Sequence, residues 1–219
     1  MRRAALVAAL VAVVAAAAQA RKPKAPAPAS GASYLDWIEV VDLDGQLTAA
    51  GRPVRAGYFA VAGTRLELSN DSRATFRLGK EGAVQGAFEL KGPASFSVDG
   101  GRQPGLDLIR GRLLAALPKL KSPFHVHSRG LVAAVRGTDI YFDAGGRRDL
   151  YICVCSGSVE VSDNKSRGYR RTIAGEHHTG VGYRVGSGVG GSTLEADHAM
   201  EGHTDEDIDA LIALTGDSR

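Results

Sequence analysis

Between Tyr34 and Val185, apolar and polar residues alternate in short runs, and nowhere in that span does an apolar stripe of helical period persist. Such alternation places one face of a strand in a core and leaves the other open. The clearest case is Leu131–Val161, with apolar positions at Ile140 and Phe142, at Leu150, Ile152 and Val154, and at Val159 and Val161. Ala144-Gly145-Gly146 and Ser156-Gly157-Ser158 separate these runs as turns. Shorter alternating runs occupy Arg65–Leu68, Ala74–Leu78, Gly86–Leu90 and Ala94–Val98, the last closing on Asp99-Gly100-Gly101. Tyr34–Leu43 and Gln46–Thr48 read as a hairpin turning at Asp44-Gly45, a dipeptide suited to positive φ. Leu106–Leu117 has enough apolar residues for a helix, but Gly111 in its middle favours two strands, and Pro118 and Pro123 bracket a turn before Phe124–His127.

Many short strands with Gly-rich turns and no alternating helices predict an all-β domain over residues 34–185, a multi-stranded antiparallel sandwich or roll, or a short β-solenoid. Its expected core is Phe76, Leu78, Phe88, Phe96, Phe124, Val126, Ile140, Phe142, Ile152 and Val154. Residues 186–203 open on a Gly-rich string and read as a linker. One short helix is expected over 204–215. Thr204 suits the N-cap, Asp205 to Asp207 suit the positive end of the helix dipole, and Gly216 suits the stop. Ile208, Leu211 and Ile212, extended by Leu214, give that helix one apolar stripe for docking onto the parent domain.

The amino-terminal end changes the charge picture. Arg2 and Arg3 precede the apolar run Ala4–Ala18, which ends in Ala18-Gln19-Ala20, the pattern of a secretory signal cleaved after residue 20. Spanning a bilayer takes about 20 apolar residues, so no membrane helix is expected to be retained. Cleavage removes two arginines and no acid, leaving 25 basic against 24 acidic residues in place of the whole chain's net +3. Residues 21–33 form a Pro/Ala-rich tether, and nothing downstream resembles a basic nucleic-acid footprint. A periplasmic or secreted location follows as an expectation.

Both cysteines of the chain, Cys153 and Cys155, lie two apart on one expected strand and so share a face. With His177 and His178 at the start of a neighbouring strand, they offer two thiolates and two imidazoles, a tetrahedral donor set for zinc, copper or iron. Two other readings stand beside this one. Positions i and i+2 of a strand are about 6.6 Å apart, near the long end of disulfide geometry, yet an exported compartment is oxidising. The thiols could also simply pack as small hydrophobes while the histidines sit on a surface turn. His125, His127, His198 and His203 are weaker ligand candidates.

Enzyme signatures are poor, so no catalytic residue is assigned. Ser162-Asp163-Asn164-Lys165 contains overlapping S-x-x-K and S-D-N strings on one polar turn, without a K-T-G partner. Gly186–Gly191 lacks the lysine of a phosphate loop.

The series Gly111-Arg112-Leu113, Phe124-x-Val126, Val135-Arg136-Gly137-Thr138-Asp139-Ile140 and Gly157-Ser158-Val159-Glu160-Val161 resembles the FecR domain of bacterial periplasmic proteins. The likeness reaches more weakly from Gly57 to Gly175. Within the motif, Arg136 reads either as a contact to a partner carboxylate or as an ion pair or fork of backbone bonds fixing the turn at Gly137. The resemblance implies a non-enzymatic binding, sensor or scaffold domain in envelope signalling, with an envelope protein as partner. The alternative function is metal binding through Cys153, Cys155, His177 and His178.

Overall fold

The computed structural model describes residues 37–80, 83–99, 105–119, 122–145, 149–163, 170–184, 193–198 and 200–216. The expected signal (1–20), the tether (21–33) and the Gly-rich string at 186–192 lie outside the described residues.

Among the described residues fifteen strands form one hydrogen-bonded network that folds over into two layers. Three long strands run through both layers: β7 (Ala83–Asp99), β8 (Gly105–Leu117) and β12 (Asp149–Asp163). The first layer adds β1 (Trp37–Asp44), β4 (Phe59–Ala60), β6 (Arg73–Lys80), β11 (Thr138–Asp143), β14 (Thr179–Arg184) and β15 (Thr193–His198). Across it the order is β4-β1-β6-β7-β8-β11-β12-β14-β15. The second layer adds β2 (Leu47–Ala49), β3 (Arg52–Val54), β5 (Arg65–Leu68), β9 (Phe124–Ser128), β10 (Leu131–Val135) and β13 (Arg170–Gly175). Its order is β3-β2-β5-β7-β8-β9-β10-β12-β13, and Pro53 sits on its edge strand, where a missing donor costs no ladder bond. Every described pairing is antiparallel except β8 with β9, so the structure is a folded-over antiparallel sandwich and not a solenoid.

The corners of the long strands explain how this happens. Strand β8 pairs with β7 on both sides of a register shift, with Lys91 opposite Arg112 in one layer and Ser95 opposite Arg110 in the other. At that corner Gly111 takes φ 120, and a side chain there would run into Ala94. The glycine therefore bends one continuous strand from layer to layer, where the sequence suggested two strands. Likewise Asp44-Gly45 is a corner and not a hairpin turn. Strand β1 leaves it to pair with β4 and β6, while β2 pairs with β3 and β5.

Alternation then closes the main core. Phe76 and Phe88 of the first layer stack at 4.7 Å, and Phe96 of the second layer meets both edge-on at 5.3 and 5.7 Å. All ten residues of the expected core are buried there. The outer face of the first layer is also covered, because α1 (Asp205–Thr215) lies on it. Thr204 caps this helix, accepting from the Asp207 backbone while the Asp207 carboxylate accepts from the Thr204 backbone; Gly216 ends it at φ 73. Among the described residues no helix is long and apolar enough to cross a membrane.

In the Val135-Arg136-Gly137-Thr138 turn the anchoring residue is Thr138. Its hydroxyl donates within reach of the Arg136 carbonyl at 3.2 Å and the Ser158 carbonyl at 3.0 Å, with Gly137 at φ 63. Arg136 itself is exposed and contributes its carbonyl rather than its guanidinium. The turn is thus tied by a buried hydroxyl, which costs less to desolvate than a charge.

Candidate metal centre

Strand β12 presents Ile152 and Val154 to the main core and Cys153 and Cys155 to the opposite face, beneath α1. Both cysteines are buried and neither is in a disulfide. Two histidines reach the same point from different places. His178 sits in the turn between β13 and β14 at φ 49, where its backbone N–H donates to the Cys155 carbonyl at 3.3 Å. That bond holds its ring over the strand, with Nδ1 3.8 Å from Cys153 Sγ. His203, 5% exposed, comes from the segment just before α1 and places Nε2 3.2 Å from Cys155 Sγ. The four ligand atoms lie within 4.8 Å of one another.

The surroundings orient both imidazoles. His203 Nδ1 donates to the Glu201 carbonyl at 2.9 Å, which leaves Nε2 as the lone-pair nitrogen facing the thiols. His178 Nε2 donates to Asp205 Oδ1 at 2.7 Å, which leaves its Nδ1 facing them. A carboxylate or carbonyl behind each ligating histidine is the outer shell that metal sites use to set tautomer and ring angle. Tyr141 supports the second histidine, stacked on the His203 ring at 4.6 Å. Gly202 makes that approach feasible: at φ 77, any side chain there would strike the Tyr141 ring.

The electrostatics agree with the geometry. The Cys153 thiol is pulled down to about 4, first by its hydrogen bond with Cys155 and then, against burial, by His203 and His178. Cys155 is pushed up by the same bond, by burial and by the negative charge on Cys153. Burial pulls the His178 pKa down, but its bonds to Asp205 and Cys153 outweigh that and raise it. Asp205 is held below its usual range, chiefly by His178.

A tetrahedral zinc, with bonds of about 2.3 Å to sulfur and about 2.1 Å to nitrogen, keeps its ligand atoms about 3.4–3.8 Å apart. The 3.2 and 3.8 Å separations found here match that spacing within small side-chain shifts. The donor set is two sulfurs and two nitrogens, which suits zinc among the metals expected.

His177 is not part of this set of four. It is exposed beside His178, with ring centroids 4.5 Å apart, because adjacent residues on a tight turn send their side chains in different directions. Its place is taken by His203. That residue precedes the helix cap and is carried in when Ile208 and Leu211 dock, so the apolar stripe of the helix was the signal that could have found it. His125 and His127 lie on β9 in the second layer, away from the cluster, and His198 lies in β15.

The class defined so far is an all-β two-layer domain with a buried Cys₂His₂ cluster under a C-terminal helix. No family model and no curated protein matches the chain. Two crystal structures of a protein from Parabacteroides distasonis ATCC 8503, provisionally described as an anti-sigma factor, resemble it with a TM-score of 0.48 at 12% identity. The match covers 61% of this chain and 59% of that one, so the chain corresponds to about three fifths of that protein's length.

Proposed function

We propose that this chain is an exported, non-catalytic FecR-like binding domain of the cell envelope that carries one tightly held transition-metal ion, zinc foremost. The observation that carries the metal assignment is the convergence of Cys153, Cys155, His178 and His203, each oriented and mostly buried, to within 4.8 Å. Four protein ligands form a closed site with no open position for substrate, so the metal's contribution is cohesion rather than catalysis. The sequence resemblance and the leader support the envelope role, and an envelope protein is the partner it implies. Its test is crosslinking in intact cells with a tagged chain. Reproducible recovery of one envelope protein is expected, and recovery of cytoplasmic proteins alone would sink the assignment.

The metal assignment is tested by elemental mass spectrometry on protein purified without an affinity metal. Near one zinc per chain is expected, falling to background in Cys153→Ser/Cys155→Ser and unchanged in His177→Ala. Copper or iron in place of zinc would correct the ion. Background metal in the unaltered protein, after zinc has been offered, would end the proposal.

A further inference from the structure

The candidate ligands come from two parts of the chain. Cys153, Cys155 and His178 belong to the sandwich, whereas His203 and the outer-shell Asp205 belong to the segment that becomes α1. Besides this cluster, the helix is held by Ile208 and Leu211 in the apolar cluster with Ala87, Leu114 and Ala116, by the partly buried Ile212 and Leu214 packed against it, and by ion pairs from Asp207 to Arg73 at 3.3 Å and Lys91 at 3.5 Å. The helix has 11 residues, a length that is marginal on its own in water. Two buried and two half-buried apolar side chains with partly exposed ion pairs are a modest hold beside the large aromatic core between the layers.

Resting on the metal reading above, we infer that the ion is a lock: it pins the C-terminal segment to the outer face of the first layer, and its loss frees α1 while the two-layer core stays folded. The physical reason is linkage. Opening the segment withdraws His203 from the ion, so whatever the fourth ligand adds to metal affinity must be given up on opening. The metal-free protein opens without that cost. The freed face would carry Ala87, Leu114, Ala116 and Tyr141, side chains that share one buried cluster with Ile208 and Leu211 of the helix. Metal occupancy in the envelope would thereby set whether this face is closed.

The test is amide hydrogen exchange on the full mature chain, stripped with a chelator and then titrated with zinc chloride, with bound zinc measured on the same samples. Zinc at a hundredfold excess over its dissociation constant is expected to raise the protection of the Ile208–Leu211 amides by up to about 100-fold. Amides of β7 around Phe88 should not change. In His203→Gln, which keeps a side chain beside Tyr141, helix protection should no longer respond to zinc even where the two cysteines and His178 still bind it. Should that variant misfold, shown by lost β7 protection, Asp205→Asn takes its place and a reduced zinc response of the helix is expected. Stoichiometric zinc binding with unchanged helix protection would overturn the lock and leave the metal reading standing. Failure to bind zinc would overturn the metal reading itself.

Discussion

The interior between the two layers is lined by large apolar side chains, among them Phe76, Phe88, Phe96 and Phe142, all fully buried. The space between the first layer and α1 is lined instead by Ala87, Ala116, Leu114, Tyr141, Ile208 and Leu211 together with two thiols and a buried imidazole. Both interiors share strand β12, whose alternate residues serve one or the other. The first is closed by area: big side chains remove much apolar surface from water and the layers need no further tie. The second is smaller, and mixes its apolar side chains with thiols and an imidazole under one short helix. Specific contacts add to its cohesion, and on the metal reading proposed above the cluster of Cys153, Cys155, His178 and His203 is among them. A protein can therefore place a chemical site on the back of a stability strand, provided something short and separately anchored covers it.

Truncation in each interior should expose this difference most strongly. Phe88→Ala removes a ring stacked on Phe76 at 4.7 Å and should cost about 3–5 kcal/mol, read as a lower urea midpoint for the whole domain. Leu211→Ala should move that global midpoint much less, while α1 amides lose protection locally. Equal global shifts would show that the helix is part of the main folding unit and would erase the distinction between the interiors.

A smaller effect is expected at the outer shell. Asp205→Asn keeps size but loses the carboxylate that accepts from His178 Nε2 at 2.7 Å. Zinc affinity should fall about 10- to 100-fold in a competition titration with a chromophoric chelator. An unchanged affinity would reduce this carboxylate to a surface contact.

The smallest effect concerns pH. Glu89 lies on the outer face of the first layer beside Arg73 at 3.0 Å, and burial raises its pKa above the ordinary 4.5 although Arg73 and Lys91 oppose the shift. A carboxyl with a raised folded-state pKa binds its proton more tightly when folded. Its stabilising contribution is present below 4.5 and is lost as pH rises through the folded value. The melting temperature of the natural protein, relative to Glu89→Gln, should therefore improve as the pH is lowered into that window and stay flat above it. The opposite slope would mean that the ion pairs with Arg73 and Lys91 dominate over burial.

Much of the fold was legible in the residues. Alternation identified most strands between Arg65 and Val161 and all ten core positions, and the Thr204 and Gly216 signals bounded the helix. Other parts were not legible, among them the short β3 and β4 and the strands β10 and β13. Residues 193–198 form β15 against β14, although the Gly-rich string before them reads as the start of a linker, because an edge strand needs a neighbour more than it needs a strong pattern of its own. The corners at Gly45 and Gly111 also read as ordinary turn or break signals.

What the sequence by itself determined is the set of local periodicities: which residues face a core, where a helix starts and stops, and that Cys153 and Cys155 share one face of one strand. Those follow from backbone geometry within a few residues. Only the tertiary structure decided which layer each half of a long strand joins, and that His203 rather than His177 stands 3.2 Å from a cysteine 48 residues away. Pairing across such a distance depends on how the helix docks and how the layers fold over, and no local period encodes either.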